Sequence, residues 1–307
     1  MLNLVDVLWL LCIIPLWTTY LLLVYTPDKV PDVLVSAFLY GKLSTNNKRA
    51  SVLQRIAIPK RWFTHFYQYA VLVFTVWTLV LAWSACVGKP MVPRVLLLSM
   101  NILIHNRDSI VPFSVILLVQ IFTFLQVLRR CYECMFVSVY SNVKMHVWHY
   151  AVGFIFYTGV QYTILSEAFV SSPGRLSQEI VFSIAELMRP RVIIGSLLWA
   201  AGFYLEYDTT KRFANFRKDK DGKVVSSEHK APSGGMFEYV SSPHYLAEII
   251  VYTGLALVVG RLNLTWILCL VWTYVNQMAV AFLSHRWYKS TFKDYPPTRK
   301  AIIPFLL

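Results

Sequence analysis

The chain has 307 residues, of which 57% are apolar and only 15% charged, and its mean hydropathy is +0.52. Soluble domains carry roughly 25% charged residues, so a water-soluble globule is excluded, as are disordered and collagen-like chains. The net charge of +13 would suit a nucleic-acid binder, but its distribution along the chain excludes that reading.

Apolar runs fall at about 4–25, 66–87, 109–128, 145–170, 191–209, 244–260 and 264–284. Each approaches the roughly 20 residues that carry a helix across a bilayer, and lipid forces the backbone to satisfy its own hydrogen bonds as helix. The first run has no basic leader and no small-residue cleavage site, so it is expected to remain as an anchor. The stretch 93–104, weakened by Asn101 and followed by His105 and Arg107, reads as re-entrant or interfacial. The expected fold is all-α: a polytopic membrane protein of about seven transmembrane helices with cytosolic polar loops, forming one domain over 1–307.

The alternate connectors 26–65, 129–144, 210–235 and 285–307 hold 22 of the 29 Lys and Arg residues, and the other set holds seven. The positive-inside rule assigns the richer set to the cytosol, with the C-terminus cytosolic and the N-terminus on the far side. Basic charge is thus spread over membrane-proximal loops, and no nucleic-acid partner or obligate protein partner is implied. The five cysteines are odd in number and do not form a disulfide framework. Cys131-x-x-Cys134 reads as a pair of packing residues, and the sequon Asn263-Leu264-Thr265 sits too close to the membrane to be used. His146-x-x-His149 lacks the further histidine boxes of membrane metal enzymes, so no metal is expected.

Polar residues gather in three places. The loop 210–235 carries Lys211, Arg212, Arg217, Lys218, Lys220, Lys223 and Lys230 before Gly234-Gly235, which suits anionic lipid headgroups or a phosphate ligand. Next, Ser242 is the expected N-cap of a helix whose first residue is Pro243. His244 and Glu248 then lie on one face, with Tyr245 beside them; an ionisable residue one turn into a membrane helix marks function by default. The tail holds His285-Arg286-Trp287-Tyr288, Asp294-Tyr295-Pro296-Pro297 and Arg299-Lys300, and closes on an apolar segment expected to dock. Weaker signals are Arg61-Trp62-Phe63-Thr64-His65-Phe66-Tyr67 and Arg129-Arg130, the latter readable as a topological stop.

The segment Phe237-Glu238-Tyr239-Val240-Ser241-Ser242-Pro243-His244-Tyr245-Leu246-Ala247-Glu248, with His285-Arg286-Trp287-Tyr288 and Asp294-Tyr295-Pro296 through Phe305, resembles the C-terminal region of the steroid 5α-reductase family. Leu128-Arg129-Arg130-x-x-Glu133 and Val137-Ser138-Val139-Tyr140-Ser141-Asn142 resemble its polyprenoid-reducing branch, which serves dolichol synthesis. The resemblance implies a multi-pass endoplasmic-reticulum protein that binds NADPH from the cytosol through Arg130, Arg217, Lys230, His244, Glu248, His285, Arg286, Tyr288, Tyr295 and Arg299. It makes Tyr245 a candidate proton donor. Steroid-reducing members carry Gln-Glu after a Trp-Phe pair, and the Glu holds the ketone; here the matching positions are His65-Phe66, and the steroid enzymes' tyrosine near the end of the third span falls on Val127. Both departures argue for a polyprenoid substrate.

Hydride reduction of a C=C bond needs an electron sink, which an α,β-unsaturated aldehyde has and an allylic alcohol lacks. The expected direct substrate is therefore polyprenal, with Tyr245, His65 and Tyr67 around the carbonyl and the proton, in a pocket lined by the third, sixth and seventh spans. The rival readings are a 3-oxo-5α-steroid 4-dehydrogenase and a very-long-chain enoyl-CoA reductase; from outside enzymology, a transporter would place broken helices and charges near the midplane.

Overall fold

A computed structural model describes residues 2–30, 57–105, 111–140, 144–169, 179–219, 221–225 and 230–307. Lys220, Ser141, Asn142 and the connector cations Lys42, Lys48, Arg49, Arg55, Arg107 and Arg175 lie outside them. The described chain is mostly helical, and a long helix coincides with each of the seven apolar runs: α1 (Leu4–Tyr25), α2 (Phe63–Val87), α4 (Phe113–Tyr132), α5 (Val147–Leu165), α7 (Pro190–Asn215), α8 (Pro243–Val259) and α9 (Leu264–Thr291). Two shorter helices, α3 (Arg94–Leu103) and α6 (Ile184–Leu187), fall between them. Among the described residues, four segments are both long and apolar enough to cross a bilayer: Leu4–Tyr25, Lys60–Val87, Phe113–Val137 and Leu264–Thr291. The sequence reading of the weak stretch 93–104 meets a ten-residue helix, α3, with Val95, Leu98 and Ile102 exposed.

Local signals set the helix ends. Gly88 takes the left-handed conformation that terminates α2, with its amide on the Ser84 carbonyl. Pro190 and Pro243 open α7 and α8, where a missing N–H leaves no bond unmade. Ser242 stands at the N-cap of α8 as expected, but its buried hydroxyl makes no side-chain cap bond. Asn263 caps α9 by accepting the Trp266 amide at 3.0 Å and donates to Ser166 at 2.8 Å, while Thr265 donates to Asp6 at 2.6 Å. Both polar residues of the sequon therefore have structural partners.

Direct contacts tie segments together at two ends of the bundle. At one end β1 (Ala57–Pro59) pairs antiparallel with β2 (Lys144–His146), Ile58 opposite Met145. There Arg217 also donates to the Val139 carbonyl, Arg299 Nη1 donates to the Pro232 carbonyl at 2.8 Å, and Val240 bridges Lys300. These ties join all four of the basic connectors. At the opposite end Asp6 meets Thr265, Asn263 meets Ser166, and the Ile180 amide bonds the Gly88 carbonyl at 2.9 Å.

The most extensive interface joins α7 to α8. Gly195, Trp199, Gly202, Glu206 and Thr209 on α7 recur at alternating spacings of four and three and face Ala247, Val251, Gly254 and Val258 on α8. A Cβ at Gly202 would stand 2.9 Å from the Ala247 carbonyl oxygen, and one at Gly254 would stand 2.6 Å from the Trp199 amide nitrogen. Small residues thus let the two backbones approach, as membrane helices do where lipid offers no hydrophobic drive. One consequence is that Glu206 and Glu248 become electrostatic neighbours.

Candidate active site

Beneath the basic end, α2, α4, α7 and α8 enclose a charged cluster. Arg129 donates to Glu206 Oε2 at 2.5 Å, to Gln126 Oε1 at 3.1 Å and to the Phe203 carbonyl at 2.5 Å. Gln126 Nε2 donates to the same Glu206 oxygen at 2.6 Å. Arg130 reaches Glu206 Oε1 at 3.2 Å, Glu133 Oε2 at 2.5 Å and Thr210 Oγ1 at 3.2 Å. Two guanidinium groups therefore face the buried carboxylates Glu133 and Glu206, which is the condition under which charge tolerates an apolar interior. Glu133 opens a π-helical turn, Glu133–Val137, that prolongs α4. Such turns often accompany functional sites.

The cluster opens toward a polar floor. The Arg130 side chain keeps 22% of its surface exposed, while its partners Glu133 and Glu206 keep 1% and 5%. Arg130 donates from both Nε and Nη2 to the Tyr67 hydroxyl, at 3.3 Å each. A phenol that accepts twice has its own hydrogen left to donate elsewhere. Glu248, on α8, completes the group as the electrostatic neighbour of Glu206. Tyr157 and Tyr67 lie with ring centroids 5.5 Å apart. Beyond the π turn, burial pushes the Tyr140 phenol up from its ordinary range, and the neighbouring Cys134 side chain adds to this.

A second cluster lies above the first. Ser241 Oγ is 2.6 Å from His285 Nδ1 and 2.6 Å from the Tyr295 hydroxyl, and it donates to the Lys300 carbonyl at 3.1 Å. Tyr295 stacks on Tyr288 with ring centroids 5.4 Å apart, and the Arg299 guanidinium covers Tyr295 at 4.9 Å. The tail is indeed docked by Ala301 and Ile302, although Phe305 and Leu306 remain exposed. Arg217, held to the Val139 carbonyl, has its pKa pulled down by burial and yet stays cationic.

The structure thus groups Arg130, Tyr67 and Glu248 in the lower cluster, and His285, Tyr288, Tyr295 and Arg299 in the upper one. The His244 and Tyr245 rings lie 3.9 Å apart, tilted by 45°, beside Phe213 and one turn of α8 above Glu248. Lys230 and Arg286 are exposed. His65 is placed apart from Tyr67. Two residues on a helix differ by about 200°, so His65 turns outward to Trp62 and bonds Tyr150 at 3.2 Å. The pocket expected between the third, sixth and seventh spans instead draws its lower charges from the second, third, fifth and sixth. Sequence reasoning missed Glu206, Gln126 and Thr210 and met Glu133 only as part of a motif, although the carboxylates Glu206 and Asp208 inside the run 191–209 were themselves a signal.

Residues 141–307 match the family described as 3-oxo-5-alpha-steroid 4-dehydrogenase. Over nearly its whole length the chain is similar to proteins called polyprenal reductase. It is 35% identical to that of Homo sapiens over 321 residues (99% of this chain, 96% of the relative) and 35% identical to that of Ailuropoda melanoleuca over 313 residues with the same coverage. The Danio rerio protein is 32% identical over 310 residues, covering 100% of this chain and 99% of its own. Match and motifs together place the chain in the steroid 5α-reductase family.

Proposed function

We propose that this chain is an NADPH-dependent oxidoreductase that reduces the α-isoprene C=C bond of polyprenal, yielding the dolichol precursor used in N-glycosylation. In this reading it is a seven-span protein of the endoplasmic-reticulum membrane with its C-terminus and basic loops in the cytosol. The observation that carries it is the Tyr67–Arg130–Glu206 network with Glu248 beside it, a charged floor set in a mostly apolar bundle. The similarity to relatives called polyprenal reductase supplies the substrate.

The residues fit a phosphate-bearing dinucleotide. Ser242 Oγ and Ser284 Oγ are buried without a hydrogen-bond partner beside the Ser241–His285 pair, and Arg217, Arg299, Lys230 and Arg286 supply cations at the same end. Glu248, His244, Tyr288 and Tyr295 orient what those cations hold. When bound, NADPH supplies the reducing equivalent. Tyr67, its oxygen fixed by Arg130, donates to the aldehyde oxygen and stabilises the charge that develops there. Tyr245 provides the proton for the α carbon, and His65, on the outer face of the same helix as Tyr67, borders the entrance. The aromatic walls keep water from the isoprenoid.

Phe66 favours the polyprenoid over a 3-oxo-steroid: this position, matched to the ketone-holding carboxylate of the steroid enzymes, is 6% exposed and packs against Tyr157. The test is NADPH oxidation by purified protein on pure polyprenal and on pure polyprenol. Turnover on the aldehyde is expected, and equal turnover on the alcohol with no aldehyde formed overturns the reading.

A further inference from the structure

At the basic end, a cleft of about 310 Å³ is lined by Arg212, Asn215, Phe216 and Ser233. Three features show that it is built around Arg212. The Asp208 carboxylate accepts from Arg212 Nε at 2.6 Å, which fixes the plane of the guanidinium while occupying only one edge of the fork. Opposite, Gly234 and Gly235 take positive φ of 80° and 58°, and a Cβ at Gly235 would stand 2.8 Å from Arg212 Nε. The positive φ values favour glycine, and its lack of a Cβ leaves the loop lying against the guanidinium. The loop is tied in turn: the Gly234 amide donates to Glu238 Oε1 at 2.5 Å, and Arg299 holds the Pro232 carbonyl. With Asp208 and Glu238 both engaged, the open side of the cleft presents a guanidinium, an amide, a hydroxyl and an aromatic ring.

We infer that this cleft takes the adenosine 2′-phosphate end of the dinucleotide, with Arg212 reading the phosphate. The inference rests on the reading of the chain as an NADPH-dependent enzyme. A planar guanidinium already oriented by a carboxylate matches a phosphate in a bidentate fork. Phe216 offers the adenine a face, while Asn215 and Ser233 offer hydrogen bonds to ring nitrogens and ribose hydroxyls. Distance agrees with this. Cleft and polar floor lie on one helix, and the ten residues from Glu206 to Phe216 rise about 15 Å, the scale on which an extended dinucleotide separates its two bases. Arg212 is thereby a selectivity residue, distinct from the groups that orient the reacting end.

Binding to purified full-length protein in nanodiscs tests this without turnover, by titrating NADPH and NADH and by competition with 2′,5′-ADP and 5′-AMP. Arg212→Ala is expected to weaken NADPH and 2′,5′-ADP at least tenfold and to leave NADH and 5′-AMP within about twofold. Arg212→Lys keeps charge without the fork and is expected to fall between. Phe216→Ala is expected to weaken both dinucleotides alike. Unchanged NADPH affinity in Arg212→Ala overturns the inference while leaving the enzyme reading standing, and so does an equal loss for NADH and NADPH. Failure of the wild-type protein to bind either dinucleotide overturns the enzyme reading itself.

Discussion

Replacing Gly202 by Ala tests whether the α7–α8 seam sets the alignment of the charged floor. The new methyl carbon would stand 2.9 Å from the Ala247 oxygen and from the Val251 nitrogen, against an ordinary contact of 3.4 Å, so the helices must part by about 0.5 Å. Gly202 is four residues, about 6 Å, from Glu206, close enough for that separation to shift Glu206 relative to Glu248. A 1 Å misplacement can lower turnover about a hundredfold, so roughly tenfold is expected here, with about 1–3 kcal/mol of overpacking. Gly195→Ala supplies the control. Its methyl would meet the Gly254 oxygen at 2.8 Å, with similar strain, but eleven residues, about 16 Å, from Glu206. Thermal unfolding in nanodiscs measures the strain and kcat on polyprenal the alignment. Both variants should lose stability alike while only Gly202→Ala loses turnover; equal losses of turnover, or none in Gly202→Ala at reduced stability, refute the reasoning.

Tyr67→Phe removes the hydroxyl that Arg130 orients and leaves the ring in place, so kcat should fall by about 10²–10⁴ with NADPH affinity unchanged in fluorescence titration; a loss below threefold excludes Tyr67 as the donor. Asn263→Ala deletes the cap of α9 and should lower unfolding free energy by about 1 kcal/mol. Endoglycosidase treatment of the native chain should not shift its electrophoretic mobility, because Asn263 and Thr265 are committed to Trp266, Ser166 and Asp6; a shift contradicts this.

The helices were legible because a spanning helix is a one-dimensional object: an unbroken apolar run such as 66–87 needs no knowledge of its neighbours to declare itself. The expected sorting of loops rests on a similar one-dimensional signal. Charge alternates connector by connector, and the structure gathers residues 57–59, 139–146, 217, 232, 240 and 299–300 at one end by direct contact. Where α7 ends was not legible. The run 191–209 stops at polar residues, yet the helix continues to Asn215 because the carboxylate of Glu206 is neutralised by α4 and Asp208 is bridged by Arg212 within its own turn.

Partnerships were the unreadable part, and the arginine pair shows why. Arg129 and Arg130 close an apolar run, so in one dimension they serve equally as a stop signal or as functional groups. What decides is whether carboxylates stand opposite, and those come from 77 residues downstream for Arg129–Glu206 and from the next turn for Arg130–Glu133. The small residues that bring the distant carboxylate close, Gly202 and Gly254, carry no chemistry of their own and drew no notice. His65 is the opposite case: its separation from Tyr67 follows from helix geometry alone, since neighbours at i and i+2 face apart. A site formed inside a membrane bundle thus depends on where helices can touch. In this chain the positions that permit the touch are as much part of the site as the charges that meet there.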